Sequence, residues 1–202
     1  MSRPRRDLAD AVRIRQLIRI DRSPVDMLPI DGFALGISRR FLLVQHVEST
    51  IQLNGYMVLR LEDIAGWGDH PFADFMHQAL RIRREIPRWL DHVPLNSYAA
   101  MFQAVGAEFP LVAIHTELVD PSRCWIGRVE RTTRQVLTLK KLSPSAQWIE
   151  SEKFHFRDIT KVDFGGYYER ALWEVVTNRP DGAPILPIKV NGKVAIEPNL
   201  EP

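Results

Sequence analysis

Apolar positions along the chain change period within its first half. Leu8-Ala9-Asp10-Ala11-Val12-Arg13-Ile14-Arg15-Gln16-Leu17-Ile18 puts Leu8, Ala11, Val12 and Ile18 or Leu17 near one helical stripe, with most arginines off it. That spacing predicts an amphipathic helix of about three turns, ended before Ser23-Pro24. From Ile30 the period shortens. Asp31-Gly32 is a turn signal, and Phe33–Ile37 and Phe41–Val47 read as strands. Ile51-Gln52-Leu53 then meets Asn54-Gly55, a two-residue hairpin signal, with a strand over Tyr56–Leu61 behind it. Pro71 suits the first turn of a helix whose apolar face is Phe72, Phe75, Met76, Ala79, Leu80 and Ile82, and Pro87 stops it.

The second half repeats this grammar. Ser97 to Gly106 predicts a short helix, and Phe109–Glu117, Trp125–Glu130, Gln135–Leu139, Lys153–Phe156 and Asp158–Phe164 predict strands. A helix follows around Tyr168 to Val176. Gly36 aligns with Gly127 at an offset of 91, Asp63-Ile64 with Asp158-Ile159 at 95, and Ala79-Leu80 with Ala171-Leu172 at 92. Small drift with a shared order of elements predicts a duplicated module. The tail from Asn178 is rich in proline, and Ile188–Ile196 alternates around Asn191-Gly192 as a hairpin would. The domains expected are therefore residues 1–23 (a basic amphipathic helix), 24–90 and 91–178 (the two modules with their helices) and 179–202 (the tail).

Composition narrows the class. The 202 residues are 45% hydrophobic and 26% charged, which is ordinary for a globular chain. No apolar run approaches the roughly 18 residues of a membrane span, and one cysteine, Cys124, rules out an internal disulfide framework. The expectation is a soluble, cytoplasmic protein with no membrane contact. Net charge is +2, but residues 1–22 carry seven Arg against Asp7, Asp10 and Asp21. A second basic block, Arg123, Arg128, Arg131, Arg134, Lys140 and Lys141, faces Glu130 alone.

Each half reads as a helix and five short strands with a glycine in the second, where a missing side chain lets a small barrel coil sharply. Asp31-Gly32-Phe33-Ala34-Leu35-Gly36-Ile37, the run Gly127–Leu139, Leu59–Trp67 and Phe154–Val162 together resemble the Sm-like family, which includes the bacterial Sm-like RNA chaperone and the Sm proteins of splicing particles. The resemblance covers roughly residues 24–67 and 109–164. It implies a mainly β, α+β chain: two tandem Sm/SH3-like five-stranded small barrels with flanking helices. One continuous sheet, or a helical bundle, through Gly36 and Gly127 would overturn it together with the partners it implies. The family places an Asp or Asn in the loop between strands two and three, and a basic residue or His before the last strand. Here the loops are Ser38-Arg39-Arg40 and Thr132-Thr133-Arg134, and the later positions are Glu62 and Arg157.

Catalytic signatures are missing: there is no nucleotide-binding glycine loop, nucleophile elbow or HExxH. His70, Asp74 and His77 could share a helix face as metal ligands, but capping or solvated roles suit them better. Cys124 reads as a small apolar residue, and the five tryptophans as core and interface anchors. The chain is thus expected to be a non-enzymatic binding or assembly module without metal or cofactor. Its candidate nucleic-acid contacts are Arg123, Arg128, Arg131, Arg134, Lys140, Lys141 and Arg157. The alternative is a scaffold with protein partners, self-associating through barrel edge strands, for instance as a trimer imitating a six-module ring. A metal-dependent hydrolase centred on His70 and His77 is the remaining reading.

Overall fold

The computed structural model describes residues 3–178, 189–190 and 193–194. In chain order it runs α1 (Arg3–Arg13), β1 (Leu17–Arg22), β2 (Asp26–Ile37), β3 (Phe41–Val47), β4 (Leu53–Arg60), a 3-10 turn (Leu61–Asp63), β5 (Gly66–Asp69) and α2 (Ala73–Ile82). Then follow α3 (Tyr98–Glu108), β6 (Val112–Thr116), β7 (Asp120–Thr132), β8 (Val136–Leu142), β9 (Trp148–His155), β10 (Lys161–Phe164) and α4 (Tyr167–Asn178). A two-residue ladder, β11 (Lys189–Val190) with β12 (Lys193–Val194), lies in the tail; the Asn191-Gly192 step expected to turn it is outside the described residues.

Ten strands form one antiparallel sheet in the order β5-β1-β2-β3-β4-β10-β6-β7-β8-β9. The chain is mainly β with helices, as expected, but one continuous, unclosed sheet runs through both Gly36 and Gly127, the outcome that counts against two separate five-stranded barrels. β4 and β10 each end a five-stranded set, and pairing them satisfies backbone groups that two isolated sets would leave open. Both sets have one order: fifth, first, second, third, fourth.

Their registers also match. Leu42 faces Leu59 in the first set, and Leu137 faces Phe154, each 95 residues on, in the second. The bulge between Ala34 and Gly36 recurs between Val129 and Arg131, and the left-handed residue Ile51 recurs as Ala146. Ser38 accepts from the Phe41 amide through its hydroxyl, as Thr133 does from Val136. This constant spacing corrects the glycine alignment. The partner of Gly127 is Gly32, not Gly36: a Cβ on Gly32 would sit 2.6 Å from the Gln45 carbonyl oxygen, and one on Gly127 would run into the Lys140 carbonyl. A Cβ on Gly36 would press only on the end of the Leu95 side chain, at 3.0 Å, and make ordinary contact with Leu43.

Three further expectations are corrected. The N-terminal helix stops at Arg13, and residues 17–22 are β1, inside the span assigned to that helix. Leu17 buries on one face of the sheet while Ile18 and Ile20 bury on the other, so a strand buried on both sides imitates a helical stripe. Asn54-Gly55 lies within β4; the turn is Glu48–Gln52, closed by the Glu48 amide on the Gln52 carbonyl. On α2 only Met76 and Leu80 are buried, while Phe72, Phe75 and Ile82 stand in solvent, because a short helix meets the sheet along one ridge.

Two helices cap equivalent strands. Leu8 and Ala11 of α1 cover Ile18, Ile20, Ala34, Leu42 and Val44. Met101, Phe102 and Val105 of α3 cover Val112, Ile114, Leu137 and Leu139, within a larger core that spans both sets. Each fully buried side chain of this size contributes about 1.5–3 kcal/mol relative to exposure. Trp67, Trp125 and Trp173 are partly buried at core margins, while Trp89 and Trp148 are more exposed, so none of the five fills the core. No helix among the described residues is long and apolar enough to cross a membrane.

Replacing Gly32 or Gly127 by Ala should lower unfolding free energy by about 1–3 kcal/mol through forced backbone movement. Gly36→Ala should change it little, since Leu95 can shift. Urea melts of the three variants check this ranking; a Gly36 variant as unstable as the others would refute the register.

Candidate functional site

The joint between the sets is built from both. Lys161, Val162, Asp163 and Phe164 of β10 face Leu59, Val58, Met57 and Tyr56 of β4. Where α4 begins, Asn54 accepts the Tyr167 amide, and Gly55, at φ +66, lets the backbone of Gly165-Gly166 pass closely. Beside the joint Arg22 is wholly buried and forms a two-pronged pair with Glu117, at 3.1 and 2.5 Å. Thr160 donates its hydroxyl to the same carboxylate, and Lys161 lies 3.7 Å from it. Burial alone would push the Glu117 pKa up, but the hydrogen bonds of Arg22 and Thr160 outweigh it and hold the group below its usual range. Asp163 follows the same logic: burial raises it, and His115 at 2.8 Å, with Lys161, brings it below the ordinary value.

Among the described residues the two outer strands have no partner on one side. β5 stands at one end of the sheet and β9 at the other. In the repeated register β5 corresponds to β10, and β9 to β4, the two strands that meet inside the chain. Apolar side chains flank both ends: Phe72 and Phe75 are 65% and 60% exposed after β5, and Trp148 and Ile149 are each 37% exposed on β9.

A third feature is a rim of turns. The Leu61 amide bonds the Arg40 carbonyl, and the Phe156 amide bonds the Gln135 carbonyl, so within each set the β2–β3-type turn abuts the β4–β5-type turn. Arg60 joins the sets: it holds Asp63 with two bonds of 2.7 and 2.8 Å and donates a third to the Arg157 carbonyl. Asp63 therefore serves a guanidinium. Arg39, Arg40, Arg134 and Arg157 consequently lie along one run of turns. Arg157 is 83% exposed beside Asp158, and Glu62 is 70% exposed.

The seven basic candidates do not form one patch. Arg134 and Arg157 flank the Phe156–Gln135 backbone bond at the rim, with Arg131 on the adjoining stretch of β7. Arg128 and Lys140 pair across β7 and β8 on the opposite face from Lys141, with Arg128 over the Trp148 ring. Lys141 is buried, bound to Glu152 at 2.6 Å and Glu150 at 2.9 Å, and is therefore neutralised. Arg123 sits at the other end of β7 against Asp120. Arg39, Arg40 and Arg60 were missed as rim residues. Their signal was the 95-residue spacing that pairs Ser38-Arg39-Arg40 with Thr133-Arg134-Gln135.

His70 is buried, accepts the Phe72 amide through Nδ1 and lies 3.3 Å from Asp31, while His77 packs edge-on to Phe33. Among the described residues no group of three or more His, Cys, Asp or Glu side chains could hold a metal. Cys124, read as apolar filling, is solvent-exposed opposite His115.

Glu117→Gln should cost about 3–5 kcal/mol by stranding the Arg22 charge, and the double change Arg22→Met with Glu117→Leu should recover most of it. Both Glu117 and Asp163 have lowered folded-state pKa values, so their stabilisation is present above the ordinary carboxylate range and is lost as pH falls through and below it. Thermal melts from pH 7 to 3 should show the wild-type midpoint falling more steeply than that of Glu117→Gln.

Comparison with family models, curated proteins and solved structures finds no match, so the functional reading rests on the chain's own geometry.

Proposed function

We propose that the chain is a non-enzymatic assembly module: two fused copies of one five-stranded unit, joined in a single sheet, that add β9 of one molecule to β5 of the next. The observation that carries this is the internal joint. The pairing of β4 with β10 is a working example of the contact that β9 and β5 are equivalent to make. Transferring its register places Gly66 opposite Phe154, Trp67 opposite Lys153, Gly68 opposite Glu152 and Asp69 opposite Ser151. The start of α2, with Phe72, then comes over Ile149, as the start of α4 comes over Asn54. Exposed apolar side chains at both ends support the pairing, because burial on contact supplies the driving force that backbone hydrogen bonds alone do not. Such a contact is head-to-tail, so it closes into a ring or extends as a filament according to the rotation per step.

Light scattering should give an integer multiple of the chain mass, and Phe72→Glu or Ile149→Glu should return the protein to single chains without loss of the sheet signal in circular dichroism. A wild-type protein that stays at one chain mass across a wide concentration range would remove the proposal.

The turn rim supports a second reading, contact with a nucleic-acid backbone, because Arg39, Arg40, Arg134 and Arg157 follow one another along it. Fluorescence anisotropy with a single-stranded RNA oligonucleotide at low salt checks this. Arg134→Gln with Arg157→Gln should weaken binding and reduce the salt slope by about 1.4, at ~0.7 per phosphate contact, while Lys141→Ala leaves both unchanged. Absence of binding at low salt would dismiss the reading.

A further inference from the structure

A cleft of about 860 Å³ opens away from both sheet ends, between the segment that follows α2, the turn before β6 and the start of α4. Its floor is apolar and aromatic: Leu53, Tyr56, Leu90, Phe109 and Leu111. The backbone at its rim is held in place. Gln45, buried in β3, accepts the Arg88 amide at 2.8 Å, and the Tyr56 hydroxyl donates to the Arg88 carbonyl at 3.1 Å. Arg84 takes a left-handed φ of 59°, a conformation that a residue with a Cβ adopts at a cost.

The arginines and glutamates around this floor are equal in number, but none of them is paired with another across the cleft. Arg84, Arg88 and Arg170 line it together with Glu85, Glu108 and Glu169. Glu108 is taken up by His92 at 2.7 Å, and Glu169 is buried against the Gly166 amide. Arg170 stacks over Tyr167 and donates to the Gly166 carbonyl. The Arg84 and Arg88 guanidiniums have neither a hydrogen-bond nor an ion-pair partner among the described residues, and Glu85 is the remaining carboxylate. Two arginines without a partner in the lining of an apolar, aromatic cleft suit one ligand chemistry: an anionic head that accepts bidentate bonds, on a body that prefers to leave water.

We propose that this cleft binds a small organic anion, a carboxylate or phosphate carried on an apolar or aromatic body. The apolar body lies on Tyr56 and Phe109, and the head meets Arg84 and Arg88. This site is independent of the assembly contact, since it includes neither β5 nor β9.

The test uses 8-anilinonaphthalene-1-sulfonate, an aromatic anion whose fluorescence rises on leaving water. The folded wild-type protein should bind it saturably at one site. Arg84→Gly with Arg88→Gln should raise its Kd about tenfold or more, as loss of charged hydrogen bonds does. Glycine accepts the left-handed backbone at position 84, so the variant should keep the wild-type melting curve and near-ultraviolet circular dichroism. The neutral analogue N-phenyl-1-naphthylamine should bind both proteins alike. Displacement of the anionic probe by decanoate assigns a carboxylate head, and displacement by adenosine monophosphate assigns a phosphate. An unchanged Kd in the folded double variant, or displacement by neither competitor, would overturn the proposal.

Discussion

The structure depends on how the open edges of its strands are satisfied. A strand at the end of a five-stranded set presents a row of unpaired amides and carbonyls, and two such sets present four rows. Pairing β4 with β10 removes two of them and makes one sheet of ten strands. The joint is short, four residues of β10, and side chains reinforce it. Arg22 and Glu117 come from equivalent ends of the two sets and meet beside it as a desolvated pair, with Thr160 and Lys161 completing the carboxylate's contacts.

That arrangement separates the roles of charge in the chain. Arg22, Arg60 and Lys141 are buried and matched, so their charges hold turns and strands together. Breaking such pairs costs more than they contribute beyond a well-packed apolar substitute, which suits positions where register matters. Arg84 and Arg88, by contrast, line the cleft without a side-chain hydrogen-bond or ion-pair partner among the described residues. A basic block read along the chain mixes these roles, because successive strand residues point to opposite faces. Lys140 and Lys141 are neighbours in sequence, yet one is half-exposed beside Arg128 and the other is sealed under two glutamates.

Much of the strand order was legible because short apolar runs bounded by turn residues leave a clear pattern, and the Asp63-Ile64 and Asp158-Ile159 steps carried the true spacing of 95 residues. The glycine pairing misled. Gly36 and Gly127 both sit in strand-like runs, but which glycine is obligatory depends on which carbonyl crosses it, and that belongs to the neighbouring strand. The Asn54-Gly55 signal misled for a related reason: the left-handed glycine serves a close crossing by Gly165-Gly166, residues far away in sequence.

From the sequence alone came the class of chain, the repeated order of helix and strands, and the absence of a recognisable catalytic signature. These follow from local period and turn chemistry, which each residue shares with its immediate neighbours. Only the tertiary structure decided that the halves join through β4 and β10, that Arg22 reaches Glu117, that the basic block divides between faces, and that Arg84 and Arg88 line one cleft. Those outcomes depend on contacts between residues tens of positions apart, and the energy of each is set by burial and geometry that exist only once the chain has folded.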